Sequence, residues 1–477
     1  MLITNAVQTA FPENNNAAAC SNYYAEYIER WSDIYSGQPP WKTVRKSTLS
    51  SKGKRALSML NTGKVLCDYL SDLTFSEQCD ITVNDKQYQQ FLDETLNRCG
   101  FWKFFPEFIS KAYALGGGAL KVYANNGEIA IDYICANDFV PTAWTGNNIS
   151  VGAFRSLTHK GDNFYSLMEL MCKDRVEHKL FKSASERELG KECSISELYE
   201  NIPEAITISG LEKPLFSYFR PNFSNNIPDS NIPLGISVFA NAADTLKALD
   251  IAFDSFSREF VLGKKRIIVP ASSIQTVVDT STGETVKYFD ADDEAFVALK
   301  TDDTENLKIT DNTVELRVEQ HVSAINALLN ILCLQVGISA GSLSFDAVQG
   351  MKTATEVVSQ ESKTQRTVKG NKNILAEVIE NTVNSIFSLA VALGVLPHKL
   401  YTVTVGWRDN VIVDDNTLID NNIKLVSAGL KSKIKAIMDV QKCDEETARA
   451  EIERIAQESG MSGDMADFFG GGGDDST

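Results

Sequence analysis

The stretch SVFANAADTLKALDIAFDSFSREFVLG, residues 237–263, carries the most regular apolar pattern in the chain. Its apolar residues recur at alternating spacings of three and four, the repeat of one face of an α-helix. This spacing predicts a helix of about 25 residues, roughly 37 Å long, that ends at Gly263. The stripe consists of Phe239, Ala242, Leu246, Leu249, Phe253, Phe256 and Phe260.

A second stripe with the same spacing predicts another long helix, which ends at Gly337. The residues between the two stripes, 264–317, change to short β-type segments: RIIVP, a TVVD and TVKYF pair around the turn TSTGE, FVAL, LKI and VEL. Two long helices therefore bracket a small β-rich region. The second stripe consists of Val318, Val322, Ile325, Leu329, Leu332 and Val336.

The stretch SAGSLSFDAVQGMKTATEV, residues 339–357, follows the second helix and is rich in small residues. Small residues predict a loop with backbone freedom and few fixed contacts. Thr353 and Glu356 fit a capping box, so the next helix is expected to start here. That helix continues to Ala390 and stops near Gly394.

The first half of the chain has a mixed pattern, which predicts an α+β fold. Helices are expected over 23–34 and 54–73, followed by a helix that ends at Gly116 and a hairpin across the turn NNG. Alternating segments continue to about residue 218. After the long helix, YTVTVGW predicts a strand, residues 414–459 predict helices, and the tail GGGGDDST is too flexible and charged to fold.

Composition excludes several classes of protein. The 477 residues are enough for two to four domains. A net charge of −17 repels nucleic acid and anionic membranes as a whole, so contacts with DNA are expected to be local. Nine cysteines without a C-x-x-C pair indicate reduced thiols rather than disulfides or a zinc site, and no membrane span is expected.

Motifs for catalysis are weak. Residues Gly337–Gly341 match G-x-S-x-G, the nucleophile turn of serine hydrolases, but that chemistry needs a strand before Ser339 and a His to deprotonate it. The only downstream histidine is His398, beside a proline. Residues 61–64, NTGK, lack the first glycine and the final Ser or Thr of a phosphate-binding loop. We predict no catalytic residue, no metal ligand and no cofactor, with a serine hydrolase as the alternative.

The order of elements resembles the portal proteins of tailed bacteriophages over nearly the whole chain. Three strings carry the resemblance: ALGGGALKVYANNGEIAIDYICANDFVPT (114–142), NAADTLKALDIAFDSF (241–256) and LSFDAVQGMKTATEV (343–357). They look like the branch found in phages and prophages of Gram-positive bacteria. A minor head or connector protein is a further alternative, weakened by the paired long helices around a β insertion.

The resemblance implies a multi-domain portal fold and a non-enzymatic function. Such proteins form a ring, usually of twelve subunits, at one vertex of the capsid, and double-stranded DNA passes through it during packaging and ejection. Its partners would be further copies of itself, the DNA, the terminase large subunit, head-completion or connector proteins, and major capsid and scaffolding proteins. The protein would be assembled in the cytoplasm of the host bacterium and would end in the virion.

In family terms the chain divides into a wing, a stem of two helices, a clip that docks the terminase, and a crown. Twelve copies would give a ring charge of about −200, which avoids tight gripping of a sliding cargo. The implied ranges are wing 1–236, stem helix 1 237–263, clip 264–317, stem helix 2 318–337, tunnel loop 338–356, long helix and returning wing strand 357–415, crown 416–460 and disordered tail 461–477.

Three groups of residues are expected to matter. Leu343, Phe345 and Met351 would press on DNA or on neighbouring loops; the alternative is that they anchor the loop on their own subunit. The basic residues would face DNA; the alternative is that they are ordinary solvated surface. The tunnel-loop group is Ser339, Gly341, Ser342, Leu343, Ser344, Phe345, Gln349, Gly350 and Lys352; the basic group is Lys264, Lys265, Arg266, Lys352, Lys363, Arg366, Lys369 and Lys372; the stem-packing group is Phe239, Leu246, Leu249, Phe253, Phe256, Val322, Ile325, Leu329 and Leu332.

Overall fold

The chain forms two compact units, residues 1–407 and residues 408–477. The structure is a computed structural model. It describes residues 2–13, 22–47, 52–75, 78–125, 127–228, 232–263, 315–345, 354–407, 415–441, 443 and 445–458, together with the strands at 266–270, 276–278, 285–287, 296–299 and 310–312.

The first unit combines helices with antiparallel sheets, which confirms the predicted α+β class. Five helices come early in the chain and three longer ones come late. In chain order they are α1 (Ile3–Ala10), α2 (Asn22–Tyr35), α3 (Thr62–Phe75), α4 (Lys86–Arg98), α5 (Phe101–Leu115), α6 (Ala243–Leu262), α7 (Val318–Gln335) and α8 (Ala354–Ala392).

The strands of this unit form several small sheets and one larger one. The larger sheet has the order β10-β9-β8-β7-β6, with β11 added on β9, and a three-stranded sheet has the order β12-β4-β5. The strands are β1 (Thr43–Ser47), β2 (Lys52–Ala56), β3 (Cys79–Val83), β4 (Gly118–Asn125), β5 (Glu128–Cys135), β6 (Phe139–Thr145), β7 (Asn148–Lys160), β8 (Asn163–Met171), β9 (Arg175–Ser183), β10 (Lys191–Cys193), β11 (Ala205–Thr207), β12 (Phe216–Phe219), β13 (Arg266–Pro270), β14 (Thr276–Val278), β15 (Thr285–Lys287), β16 (Phe296–Leu299), β17 (Thr310–Asn312) and β18 (Val403–Trp407).

The helix-to-hairpin segment predicted around Gly116 is confirmed. Gly116 has φ +81°, and a Cβ there would lie 2.5 Å from the carbonyl oxygen of Gly235. Only glycine fits so tight a left-handed position, so α5 ends there. The chain then continues into β4 and β5, which pair antiparallel. The aromatic rings of Phe75, Phe101 and Phe105 pack together beneath this segment.

Four ionisable side chains connect the three-stranded sheet to the larger one. Lys121 on β4 is buried and donates to Glu169 on β8 at 2.6 Å, and it also pairs with Asp132 at 3.2 Å. His178 on β9 lies 3.5 Å from the other carboxylate oxygen of Glu169, and its Nδ1 contacts the carbonyl oxygen of Pro203. Although burial opposes the charge of Glu169, Lys121 and His178 lower the pKa of that carboxyl to about 2. The pKa of Lys121 is raised, so the ammonium of Lys121 and the carboxylate of Glu169 both stay charged at neutral pH.

The long helix α8 is a core helix of the first unit. By length and hydropathy its segment Ser362–Ala392 is apolar enough to cross a membrane. Within the unit, however, Leu375, Ile379, Ile386 and Phe387 are buried at 1% exposure or less. The apolar face of α8 is thus already covered by the protein itself.

Two predicted helix boundaries are wrong. The helix expected from Ser237 begins only at Ala243, because the N–H of Val238 donates to Tyr113 and residues 240–242 form a 3-10 turn. The helix expected from Lys54 begins at Thr62 instead. Residues 52–56 form strand β2, which pairs with β1 in a separate hairpin.

The β-rich region between α6 and α7 follows the prediction closely. β14 and β15 pair antiparallel as the hairpin around TSTGE, while β13 pairs parallel with β16 and antiparallel with β17. The final strand lies at Thr310–Asn312 rather than at VEL, since residues 315 and 316 have no regular structure. The predicted strand LKI falls outside the described residues.

The second unit contains the helices predicted for the end of the chain. They are α9 (Asp415–Ser427), α10 (Lys433–Gln441) and α11 (Glu445–Glu458). Ion pairs at i, i+4 spacing support them, such as Arg449 with Glu445 at 2.7 Å. The predicted flexible tail lies outside the described residues.

Candidate functional site

The helices α6 and α7 lie side by side in opposite directions, and we call them the stem pair. Thr245 near the start of α6 bonds to Gln335 at the end of α7, at 2.8 Å. At the other end, Glu259 of α6 accepts two bonds from the guanidinium of Arg317, at 3.0 and 2.9 Å. The start of α6 therefore lies beside the end of α7, and the end of α6 lies beside the start of α7. In this arrangement the β-rich region between them leaves and rejoins the stem pair at the same end.

The stem-packing residues divide into a buried part and a partly exposed part. The buried residues form the contact between the stem pair and the rest of the unit, whereas the partly exposed ones lie toward the Arg317 end. Phe239 is fully buried but precedes α6. Buried are Phe239, Leu246, Leu249, Ile325, Leu329 and Leu332; partly exposed are Phe253, Phe256 and Val322.

A cluster of charges fixes the end of the stem pair where the β-rich region begins. The hydrogen bonds from Arg317 lower the pKa of Glu259 to about 2, so this carboxylate is charged at neutral pH. His321 lies 3.6 Å from the same carboxylate and beside the ring of Phe256. His321 is partly exposed in this position.

Ser339 is not placed as a catalytic nucleophile. It is buried, and its hydroxyl lies 3.1 Å from the hydroxyl of Thr364 on α8. Its N–H donates to the same hydroxyl at 2.9 Å. None of the hydrogen bonds to Ser339 in the described part of the chain comes from a histidine, so the serine lacks the base that a hydrolase needs.

The segment Ser339–Phe345, which we call the loop base, is held by fixed contacts. The N–H of Gly341 donates to Asn330 at 2.9 Å, and the N–H of Phe345 donates to Asn326 at 2.8 Å; both acceptors lie on α7. Gly341 has φ +82°, a left-handed turn that other residues rarely adopt. The expectation of few fixed contacts is therefore wrong for this part of the loop.

Phe345 anchors the loop base on its own subunit. Its ring packs edge-on against Phe253 at 6.2 Å and Phe256 at 5.7 Å, both on α6. Leu343 is likewise partly buried against the core, whereas Ser344 is exposed and Ser342 is intermediate. Of the two alternatives for Phe345, the structure favours the anchor. Gln349, Gly350, Met351 and Lys352 lie outside the described residues.

Four of the basic residues named from the sequence, Lys363, Arg366, Lys369 and Lys372, lie at three-residue spacing on α8. Lys363 on α8 is exposed, and its ammonium donates to the carbonyl oxygen of Leu334 at 3.1 Å, where it caps the end of α7. Arg366 and Lys369 are exposed on α8. Lys372 lies over the ring of Trp407, with the ammonium 5.5 Å from the ring centre. Arg266 is described only as part of β13, and Lys264 and Lys265 lie outside the described residues.

Sequence reasoning missed the acidic residues that attach the N-terminal hairpin to the stem pair. The carboxylate of Asp254 accepts two hydrogen bonds from the guanidinium of Arg55, at 2.7 and 2.6 Å. The carboxylate of Asp250 accepts a hydrogen bond from the indole N–H of Trp41 at 2.8 Å. Both aspartates are buried. The one available signal was their i, i+4 spacing beside the apolar stripe of α6. Within the described ranges, no group of three or more His, Cys, Asp and Glu is arranged to hold a metal ion.

Comparison with known proteins identifies the family. A family model described as "Phage portal protein, SPP1 Gp6-like" matches residues 15–464. A solved chain from the "Virion of native gene transfer agent (GTA) particle" aligns at 10% identity with a TM-score of 0.39, over 80% of this chain and 98% of that chain. The assignment does not depend on that weak likeness, and no curated protein matches. The family model spans nearly the whole chain, and the chain therefore belongs to the SPP1 Gp6-like family of phage portal proteins.

Proposed function

We propose that this chain, a structural protein of the phage particle, assembles into a closed ring of about twelve subunits at one capsid vertex. Double-stranded DNA would pass through the ring during packaging and ejection. The observation that carries the proposal is apolar surface left uncovered on the stem pair. Large exposed apolar residues on a soluble protein mark interaction sites when they cluster. On the stem pair they form two groups: Phe260, Val261 and Leu262 at the end of α6, and Ile331 and Leu334 one turn apart on α7, the last of which is 68% exposed; Ile251 on α6 is also exposed.

The regions of the chain have separate roles in this proposal. The α+β body is the wing, the stem pair is the stem, and the β-rich region is the clip that docks the terminase large subunit and later the head-completion proteins. The helices after residue 415 are the crown. Major capsid and scaffolding proteins surround the ring, which is assembled in the host cytoplasm.

The protein is proposed to guide DNA passively rather than to move it. The terminase would supply the ATPase, and the ring would supply a channel and a docking surface. The contacts of Gly341 and Phe345 with the stem pair support a fixed loop base at the channel wall. A net charge of −17 per subunit keeps the ring from gripping phosphate along its whole surface.

Native mass spectrometry of the purified, untagged chain tests this proposal. Twelve copies of the 52.6 kDa chain give a mass of about 630 kDa, and a closed ring is expected to show a single oligomer of nearly that mass. A species that remains monomeric or dimeric at all concentrations and with scaffolding protein added would contradict the proposal.

The variant Ser339→Ala separates the ring from the serine hydrolase. A ring subunit loses one buried hydrogen bond to Thr364, about 1 kcal/mol, and keeps its mass. Neither the native chain nor the variant is expected to cleave an activated ester. Ester cleavage that disappears in Ser339→Ala would instead establish the hydrolase.

A further inference from the structure

The hairpin of β1 and β2 concentrates positive charge in an acidic protein. From Lys42 to Ala56 the sequence has six basic residues and no acidic one, whereas the whole chain carries −17. Arg45 and Lys54 lie directly opposite each other in the strand register and are both exposed. Like charges in that arrangement destabilise an isolated hairpin. Among the described residues, none forms an ion pair or hydrogen bond with either side chain.

The hairpin is nevertheless held firmly on the stem pair. Arg55 forms a bidentate pair with Asp254, and the N–H of Ser58 donates to the same carboxylate at 3.0 Å. The N–H of Leu60 donates to Asp250 at 3.1 Å. Trp41, which precedes β1, also bonds to Asp250. The chain is therefore attached to α6 both before β1 and after β2. Two of the basic groups are thus displayed on a positioned element rather than on a loose tail.

Away from its attachment through Arg55, the hairpin has open space around Gly53. β1 and β2 pair only with each other among the described strands. A Cβ added at Gly53, which lies opposite Lys46, would meet no atom within 4 Å. A two-stranded ribbon of this kind is narrow enough to enter the major groove of B-DNA, about 12 Å wide.

We propose that this hairpin binds the phosphate backbone of double-stranded DNA through Arg45 and Lys54, without reading the base sequence. The inference rests on the proposed function, in which duplex DNA is the cargo. Composition favours DNA over an acidic face of another subunit. Centres of protein interfaces are rich in aromatic residues and poor in lysine, whereas interfaces with DNA are polar and positively charged. Residues 42–56 contain four lysines and no aromatic residue.

The strength of this contact has a measurable salt dependence. Each neutralised phosphate releases counterions and contributes about 0.9 to the slope of log K against log salt. Removing Arg45 and Lys54 together should therefore lower the slope by about 2 per bound hairpin. Relative to 1 M salt, this slope corresponds to a loss of affinity of about 60-fold at 0.1 M salt.

The test compares the full chain with the double variant Arg45→Gln/Lys54→Gln. A fluorescent 30-base-pair duplex is titrated from 50 to 200 mM salt and followed by anisotropy, with two unrelated base sequences. The matched control is Lys86→Gln/Lys160→Gln, which removes two exposed lysines elsewhere and gives the same net charge. Neither variant should unfold, since exposed substitutions usually change stability by about 0.5 kcal/mol or less.

Support requires three results together: both duplex sequences bind equally, the hairpin variant weakens binding and flattens the salt slope, and the control does neither. An equal loss in the two variants would show only an effect of net charge and would overturn the proposal. It would also be overturned if the native chain does not bind duplex at 50 mM salt. Unchanged DNA binding with fewer assembled rings would assign the hairpin to contact between subunits instead.

Native mass spectra of the same samples separate this inference from the proposed function. Rings that assemble but bind DNA independently of Arg45 and Lys54 would refute the hairpin contact and leave the ring intact. A chain that stays monomeric yet binds DNA through the hairpin would refute the ring and support the hairpin contact.

Discussion

Replacing Glu169 by Gln is expected to weaken the connection between the three-stranded sheet and the larger sheet. The substitution keeps the shape of the side chain but leaves Lys121 without its strongest partner, 2.6 Å away in the buried network. A carboxyl whose pKa falls from 4.5 to about 2 on folding contributes about 3 kcal/mol at neutral pH. Removing one member of a buried ion pair costs a similar 3–5 kcal/mol.

Hydrogen exchange followed by mass spectrometry measures this loss locally, which suits a chain too large for simple two-state unfolding. In Glu169→Gln at pH 7, peptides from β8 and β4 should exchange roughly a hundredfold faster than in the native chain. The matched control is Glu107→Gln, which breaks the exposed pair with Lys111 on α5. That change should cost less than about 0.5 kcal/mol.

The pH dependence gives a second check on the same network. Because the folded pKa of Glu169 is lowered, its stabilisation is complete above pH 4.5 and is lost as the pH falls toward 2. The difference in thermal midpoint between the native chain and Glu169→Gln should therefore shrink below pH 4.5. The reasoning is refuted if Glu169→Gln and Glu107→Gln have equal effects on exchange at pH 7.

Four further substitutions test the loop base and the attachment of the N-terminal hairpin. Gly341→Val should lower stability by about 1–3 kcal/mol at this left-handed position and should impair DNA packaging while rings still form. Gly341→Asn should have a smaller effect, and equal packaging by the two variants would contradict a role for this turn. Phe345→Ala should cost about 2 kcal/mol by loss of its packing on α6, measured by faster exchange of residues 339–345; unchanged exchange would show that the ring is no anchor. Asp254→Asn should release the hairpin root and expose Arg55 to faster proteolysis; unchanged cleavage would show that the other bonds suffice.

Local periodicity predicted the elements whose contacts are mainly within one helix or between neighbouring strands. The α7 stripe, the β4–β5 hairpin and the β14–β15 hairpin are placed as predicted. The start of α6 was predicted wrongly, because it depends on a hydrogen bond between Val238 and Tyr113, which are distant in the sequence. The spacing of apolar residues in the sequence does not reveal such a bond.

The same limit explains what was missed at the site. Strand β2 looks helical in isolation, but it pairs with β1, and its Arg55 bonds to Asp254, 199 residues away. The small residues of Ser339–Phe345 correctly predicted a loop, but composition does not reveal that Asn326 and Asn330 accept its N–H groups. Small residues allow close approach as readily as they allow motion.

The most direct test of the ring proposal is an electron cryo-microscopy reconstruction of the assembled, full-length chain. The proposal predicts a closed ring with an open central channel, with the stem pair and the loop base, Ser339–Phe345, at the channel wall. A compact assembly without a channel, or a ring in which that segment lies on the outer surface, would contradict it.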